Sequence, residues 1–446
     1  MQRLPLDIAP RPVKKKLSKR GGSERKVLRS LKWLYPGLRI KRWVLVIYLG
    51  VVVSMLGSMF LVFALFQLKD DPKLYLQALA VAALAFAIGG AVLFTGVYRL
   101  LKSIGALLQK RGETSKTLVD IAYERRYLAR GPKVVALGGG TGMSNLLAGL
   151  KSYTADITAV ISVADDGGSS GKLRKEFDIL PPGDIRKCLI ALSDDAPLME
   201  QLLRYRFPEQ ELGGHSFGNL FLTVLTRLTD DFGEAVREAN RMLSVRGRVL
   251  PATLESIVLV ASHPNGSTTT GQRQISESAS PIERVRLEPT PPRAAPDILR
   301  AIAAADLIVI GPGSLYTSVI PNLLIPGIPE AIAASPGVCV YVANVAATEG
   351  ETRGMSLADH IAAIDRHLHH RIIDCVLINT GEPDQSAAAA FAAKSSRRLL
   401  RDQDELAESS GYRYIREDVV DPINPAWHSP PKLARALMDI VESHRE

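Results

Sequence analysis

Residues 133–151 read KVVALGGGTGMSNLLAGLK, and the order of residue types in this stretch decides the fold. Val134, Val135, Ala136 and Leu137 form an apolar run of strand type, and Gly138, Gly139, Gly140, Thr141 and Gly142 interrupt it. Apolar residues then recur at Met143, Leu146, Leu147 and Leu150 with helical spacing. The pattern predicts strand, glycine turn, helix. Such a turn lets backbone N–H groups approach a phosphate closely, and the helix N-terminus adds partial positive charge and unpaired donors, so an anionic ligand is expected. GGGTG lacks the Gly-x-Gly-x-x-Gly spacing of dinucleotide folds and the Gly-Lys-Ser/Thr ending of P-loops. A tight structural turn therefore explains these residues equally well by themselves.

Downstream, strands and helices keep alternating. Residues 157–163 (ITAVISV) predict a strand entering Asp165, Asp166, Gly167, Gly168 and Ser169. Helices are expected from about Asp184 after Pro181-Pro182-Gly183, and from about Ser216 after Gly213, Gly214 and His215. Residues 257–287 read as short strands with polar turns, followed by a helix near 298–305. Residues 307–310 predict a strand entering Gly311-Pro312-Gly313-Ser314, with further strands at 338–342 and 375–378, a helix at 357–368 between them, and a final helix from about Pro430. This alternation predicts an α/β, Rossmann-like, mainly parallel sheet with helices on both faces, whose ligand crevice lies at the strand carboxyl ends.

Upstream, the chain is of a different kind. Residues 43–66 and 76–98 are uncharged apolar runs of 24 and 23 residues, each long enough to span a bilayer. A signal peptide would be shorter, start earlier and lack a second span directly behind it. The connector balances Lys69 and Lys73 with Asp70 and Asp71, whereas Arg99, Lys102, Lys110 and Arg111 and a basic N-terminal tail flank the outer ends. Both termini are therefore expected in the cytoplasm. Residues 1–42 hold fourteen Lys/Arg against Asp7 and Glu24, a net of +12, so the rest of the chain is −3 while the whole is +9. The basic charge belongs to a tail of disordered composition, and a nucleic-acid-binding fold is disfavoured. The expected organisation of the 446 residues is a tail at 1–42, two transmembrane helices at 43–98, a linker helix at 99–131 and an α/β ligand-binding domain at 132–446. Cys188, Cys339 and Cys375 sit apart inside apolar runs and fit core packing rather than disulfides or zinc.

Several residue groups suit a ligand. Asp165 and Asp166 could hold Mg²⁺ against a diphosphate, or form an Asx-type turn with a helix cap at Ser169 or Ser170. Asp184 could cap a helix, and Arg186 could reach a phosphate as a planar fork. His215, Ser216 and Asn219 present an imidazole, a hydroxyl and an amide at one helix start, where Ser216 also reads as a plain N-cap. Gly311, Gly313, Ser314, Tyr316 and Thr317 form a second anion cradle. Two such turns in one sheet favour a ligand with two polar ends, such as a nucleotide sugar. His367, His369 and His370 end a helix and read as favourable charge at its C-terminus. No nucleophile elbow, zinc spacing or kinase signature is present, so no catalytic residue is named.

Taken together, GGGTG at 138–142, VADDGGSSGKLR from Val163, PPGDIRKCL from Pro181, GHSFGNLFL from Gly214, GPGSLYTSVIPNLL from Gly311 and GET at 350–352 resemble the CofD/YvcK family. The resemblance runs from about Lys133 to Leu437. One branch, typified by 2-phospho-L-lactate transferase, moves a phospholactyl group from a nucleotide diphosphate donor with Mg²⁺. The other is similar to a UDP-sugar-binding regulator tied to gluconeogenesis, cell-wall synthesis and cell shape, and DDGGSSGKLR and HSFGNL place this chain with it. The resemblance implies a UDP-sugar ligand held by the residues above together with Asn344, and Mg²⁺ at Asp165 and Asp166. Expected partners are the membrane through 43–98, from the apolar runs, and cell-envelope synthesis proteins, with a second copy of the chain left open and nucleic acid disfavoured by where the basic charge lies. Two features depart from the family: Thr348, Glu349 and Arg353 around the GET motif, and the two apolar spans, which read as an anchor.

Overall fold

The computed structural model describes residues 40–67, 72–108 and 128–445, apart from 195–196, 279, 290, 349, 369, 383, 388 and 390–411. The expected tail through residue 39, the connector at 68–71, the linker at 109–127, residues 390–408 of an alanine-rich stretch, Glu349 and His369 lie outside the described residues. The chain divides into two units, 1–118 and 119–446.

In the first unit, α1 (Ile40–Gln67) and α2 (Pro72–Leu108) pack antiparallel. A Cβ at Gly50 would sit 2.7 Å from the Leu93 nitrogen, one at Gly57 would sit 3.1 Å from the Ala85 Cβ, and one at Gly96 would sit 2.8 Å from Ile47. Small residues thus let the two backbones approach, as they do where apolar helices pack without help from water. The Arg99 guanidinium lies over the Trp43 ring, 5.4 Å from its centroid. Leu45, Tyr48, Met55, Phe66 and Phe94 point outward and are exposed. Both helices are long and apolar enough to cross a membrane, over Arg42–Phe63 and Pro72–Lys102.

The second unit is built on a seven-stranded sheet. Its members are β1 (Val134–Gly138), β2 (Ile157–Ile161), β3 (Arg248–Pro251), β7 (Leu307–Ile310), β8 (Val338–Val342), β9 (Cys375–Asn379) and β10 (Arg413–Glu417), in the spatial order β10-β9-β8-β7-β1-β2-β3. All neighbours are parallel; Val134 pairs with Ile157 on one side and Leu307 on the other. β1, β2, β7 and β8 are buried at every residue, because helices cover both faces and a strand buried on both sides needs a continuous apolar run. A second sheet is antiparallel, in the order β5-β4-β6, from β4 (Val258–Ser262), β5 (Thr268–Thr270) and β6 (Arg284–Glu288). The strand at 157–163 ends at Ile161, and two strands went unread. β3 is a four-residue piece closed by Pro251, and β10 is polar at Arg413, Arg416 and Glu417 as suits a sheet edge.

From β1 the chain moves outward through β2 to β3 on one side, and from β7 through β8 and β9 to β10 on the other. The topological switch lies between β1 and β7, where a crevice opens beyond the strand carboxyl ends. Helix α3 (Gly140–Leu150) leaves β1 at this point, burying Met143, Leu146, Leu147 and Leu150. Helices α4 (Gly168–Phe177) and α5 (Gly183–Leu192) follow β2, and α6 (Phe217–Thr229) starts after Ser216, whose hydroxyl accepts from the Asn219 N–H at 3.3 Å. Helix α7 (Leu357–His367) precedes β9, and α8 (Pro430–Arg445) closes the chain. All three cysteines are free and buried, where burial pushes their thiols up.

His367 corrects an expectation. Its Nε2 accepts from the Val285 N–H at 2.9 Å, which leaves Nδ1 to donate to the Ala363 carbonyl at 2.6 Å. That pairing needs the neutral ring, and burial lowers its pKa further. His367 ties α7 to β6; it is not a charge at the helix end, while His370 is exposed.

Candidate functional site

The two glycine turns meet at the switch point. A Cβ at Gly142 would lie 2.7 Å from the Pro312 carbonyl oxygen, so the start of α3 rests directly on the turn after β7. Between them is a cavity of about 330 Å³, lined by Gly139, Gly140, Thr141, Gly142, Gly313, Ser314 and Ser318, and by Asn344 after β8. Three strands thus supply one crevice.

The cradle is held open by side chains. Gly140 has φ +69°, and its N–H donates to Asp184 Oδ2 at 2.7 Å. Asn344 pins the opposite wall, accepting from the Gly313 N–H at 3.2 Å and donating to the Gly313 carbonyl at 2.8 Å. Two of the N–H groups expected to face an anion are therefore occupied. The first-turn donors of Thr141 and Gly142 remain, since no intrahelical acceptor exists for them at a helix start. Gly138 is part of the core: its carbonyl accepts from the Ser162 N–H and from Asn322 Nδ2. Gly311 is buried with φ +79° and forms the turn's backbone.

Asp184 links this crevice to the turn after β2. Its Oδ1 takes Lys187 Nζ at 2.8 Å, and its charge, after burial itself, helps to raise the Asp165 pKa. The expected pair of adjacent carboxylates is split. Asp165 Oδ1 accepts from the Gly167 N–H at 3.0 Å in an Asx-type turn. Asp166 Oδ1 accepts from the Arg273 N–H at 2.8 Å, at the start of the short helix Gln272–Glu277. Alternate directions along one extended loop explain why neighbours in sequence do not act together. Gly168 has φ +48° and opens α4. Among the described residues, no group of three or more His, Cys, Asp and Glu is placed to hold a metal ion. Asp184 is the carboxylate whose charge acts on Asp165, so a divalent cation would be held by Asp165 with Asp184 rather than with Asp166, displacing Lys187 from Asp184 Oδ1.

In the first turn of α4, Ser169 Oγ lies 2.8 Å from His215 Nδ1 and accepts from Asn219 Nδ2 at 2.9 Å. The imidazole tautomer sets which of Ser169 and His215 donates to the other. Arg186, half-buried on α5, packs against Gly218 and keeps a buried Nε with no partner. Burial, then the nearby charges of Arg206 and Arg204, lower its pKa. An orphaned guanidinium N–H held among like charges suits an anion.

Tyr316 and Thr317 do not face the crevice. The π-helical turn Leu315–Val319 directs Ser318 to it and sends Tyr316 and Thr317 the other way: the Tyr316 hydroxyl donates to the Ile282 carbonyl at 3.3 Å, and Thr317 Oγ1 donates to Glu351 Oε1 at 2.8 Å. The crevice also contains residues that motif reading missed: Asn145, Thr348, Trp427 and His428. Asn145 sits in the quoted stretch at helical spacing from Thr141, which is a usable signal. Trp427 and His428 come from the far end of the chain and carried none.

The comparisons agree with this fold. A family model described as 2-phospho-L-lactate transferase CofD matches residues 134–420. The gluconeogenesis factor of Bacillus subtilis (strain 168) is 44% identical over 313 residues, covering 70% of this chain and 98% of its own length. A Nostoc sp. relative is 41% identical over 430 residues, covering 94% of both chains, so that similarity extends through the two apolar helices. A solved Bacillus halodurans protein of the UPF0052 family superposes with a TM-score of 0.66 at 44% identity, covering 68% of this chain and 98% of that one. By its strand order, its glycine turns and these relatives, the chain belongs to the CofD family, among the gluconeogenesis-factor (YvcK) homologues.

Proposed function

We propose that the protein is a UDP-sugar-binding regulator of carbon metabolism, cell-wall synthesis and cell shape, anchored by α1 and α2 with its α/β unit in the cytoplasm. The observation that carries the reading is the contact between the two glycine turns at the switch point. The diphosphate would lie on the free N–H groups of Thr141 and Gly142, with Mg²⁺ at Asp165 and Asp184. Trp427, 44% exposed at the cavity wall, offers an aromatic face to the nucleobase. The gluconeogenesis-factor relatives support the regulatory assignment, and the apolar helices with their basic flanks support the anchor.

A transferase reading draws on the family model and on the Ser169–His215 pair, in which a hydroxyl can pass its proton to an imidazole. One experiment separates the two. The full chain in detergent micelles is incubated with UDP-sugars and Mg²⁺, and binding is followed by calorimetry and products by mass spectrometry. Binding without product is expected; turnover of the sugar nucleotide would favour the transferase. Reporters fused after Glu446 and inserted before Arg3 should both be cytoplasmic, and an external signal from either would overturn the anchor as drawn.

A further inference from the structure

A larger cavity, about 700 Å³, lies on the other side of the turn Leu315–Val319 and shares no lining residue with the crevice. Ser276, Tyr316, Glu351, Arg353, Asp359 and Arg366 help to line it. Nothing in the crevice chemistry uses these groups.

Glu351 is the unusual member. It is 5% exposed, and its Oε1 accepts from Ser276 Oγ at 2.7 Å and from Thr317 Oγ1 at 2.8 Å. Its Oε2 is buried with no well-formed hydrogen bond among the described residues, although the Tyr316 and Thr317 backbone N–H groups lie near the carboxyl, and it has room for a further donor. Around the cavity Glu277 is neutralised by a paired arginine, Asp359 keeps its charge on neutral donors and offsets Arg366, and the Arg353 guanidinium is left over. Glu277 is paired with Arg273 at 2.8 Å, and Asp359 accepts from the Ser356 N–H at 2.7 Å and hydroxyl at 2.8 Å in the cap of α7. Arg366 spends one N–H on the Glu283 carbonyl at 3.1 Å, and Arg353 has no partner among the described residues. Unneutralised guanidinium favours an anionic group, and a buried oxygen with room for a donor favours a hydroxyl.

We propose that this cavity is a second ligand site, taking a small hydroxylated organic anion. Its phosphate or carboxylate lies against Arg353 and Arg366, and one of its hydroxyls donates to Glu351 Oε2. The site stands independently of the nucleotide-sugar reading, since it uses a different wall of a different cavity.

The test uses the full chain in micelles and calorimetric titration with glucose 6-phosphate and ribose 5-phosphate in one arm, and gluconate and citrate in the other. Inorganic phosphate, succinate and glucose serve as probes lacking either the hydroxyls or the charge. At least one hydroxylated anion should bind, at least tenfold more tightly than its control, and the arm in which it falls identifies the anionic group. Arg353→Ala and Glu351→Gln should each weaken that binding at least tenfold. Gly142→Ala, which damages only the crevice, should leave it unchanged. The proposal is overturned if none of the four compounds binds, if the controls bind as well, if both cavity variants bind as wild type does, or if binding is lost in Gly142→Ala.

Discussion

Gly140 and Gly142 both forbid a side chain, for different reasons. Gly140 has φ +69° and open space around a built Cβ, whose nearest atom is Asp184 Oδ2 at 4.0 Å, so a substitution there costs backbone strain of about 1–2 kcal/mol. At Gly142 a Cβ would meet the Pro312 carbonyl oxygen at 2.7 Å, a backbone atom that cannot swing aside. Gly142→Ala should therefore push the two turns apart and abolish UDP-sugar binding, and Gly140→Val should abolish it while also lowering stability. Calorimetry alongside thermal unfolding checks both; folded variants binding at wild-type affinity would make the turns purely structural. Arg186→Ala should weaken UDP-sugar affinity by about 1.5–3 kcal/mol, the loss for hydrogen bonds to a charged group. His367→Ala should leave that affinity alone yet cost about 1–3 kcal/mol of stability, because the buried Val285 N–H loses its acceptor. A drop in affinity with His367→Ala would contradict its role as a tie between α7 and β6 outside the crevice.

Among elements, the α1–α2 hairpin offers a matched pair of substitutions. A Cβ at Gly89 would lie 2.3 Å from Ser54 Oγ, 2.9 Å from the Ser54 nitrogen and 3.0 Å from the Gly50 carbonyl, whereas one at Gly90 meets nothing within 4 Å. Gly89→Leu should force the helices apart, and Gly90→Leu, adding equal hydrophobicity on the outward face, should not. Unfolding in an SDS titration of the full chain in micelles is the measurement. Equal midpoints for the two variants would mean that glycine contacts do not hold the hairpin together. The short turn Leu315–Val319 is the other element that decides function, because one π-helical turn sends Ser318 to one cavity and Tyr316 to another. Motif reading assigned Tyr316 and Thr317 to the crevice ligand and left Ser318 out, since a run of side chains gives no hint of the wider winding that separates them.

For the whole molecule, acid should be the destabilising direction. His360 and His428 are buried, and burial lowers each to about 4 from an ordinary 6.5. Between those values the unfolded chain binds protons that the folded chain refuses, so stability is lost as pH falls from about 6.5 towards 4, by up to about 3 kcal/mol for each ring. Glu351, raised by burial, acts with the opposite sign: the folded chain holds its proton above the ordinary value of 4.5, so the stability it lends is lost as pH rises. Asp165, also raised, acts with Glu351, and His367, also lowered, acts with the two rings, whose shifts are the large ones. The α/β unit should melt lower at pH 5 than at pH 7.5, and His360→Leu, which removes a ring with neither nitrogen partnered, should shrink that difference; an unchanged difference would rule His360 out as its source. The sequence alone determined what is local. Apolar runs meeting glycine turns fix strand, turn and helix at 133–151, two uncharged runs fix a pair of spanning-length helices, and cysteines inside apolar runs read as core. Only the tertiary structure decided that β1 and β7 are neighbours, that the charge acting on Asp165 is that of Asp184 and that Asp166 turns away to Arg273, that Asp184 and Asn344 occupy donors the ligand was expected to use, and that Trp427 and His428 return to a crevice opened almost three hundred residues earlier. Periodicity and turn chemistry act through contacts within a few residues and are written along the chain. Which strand ends share a crevice is set by burial and pairing between distant segments, and no spacing in the sequence records it.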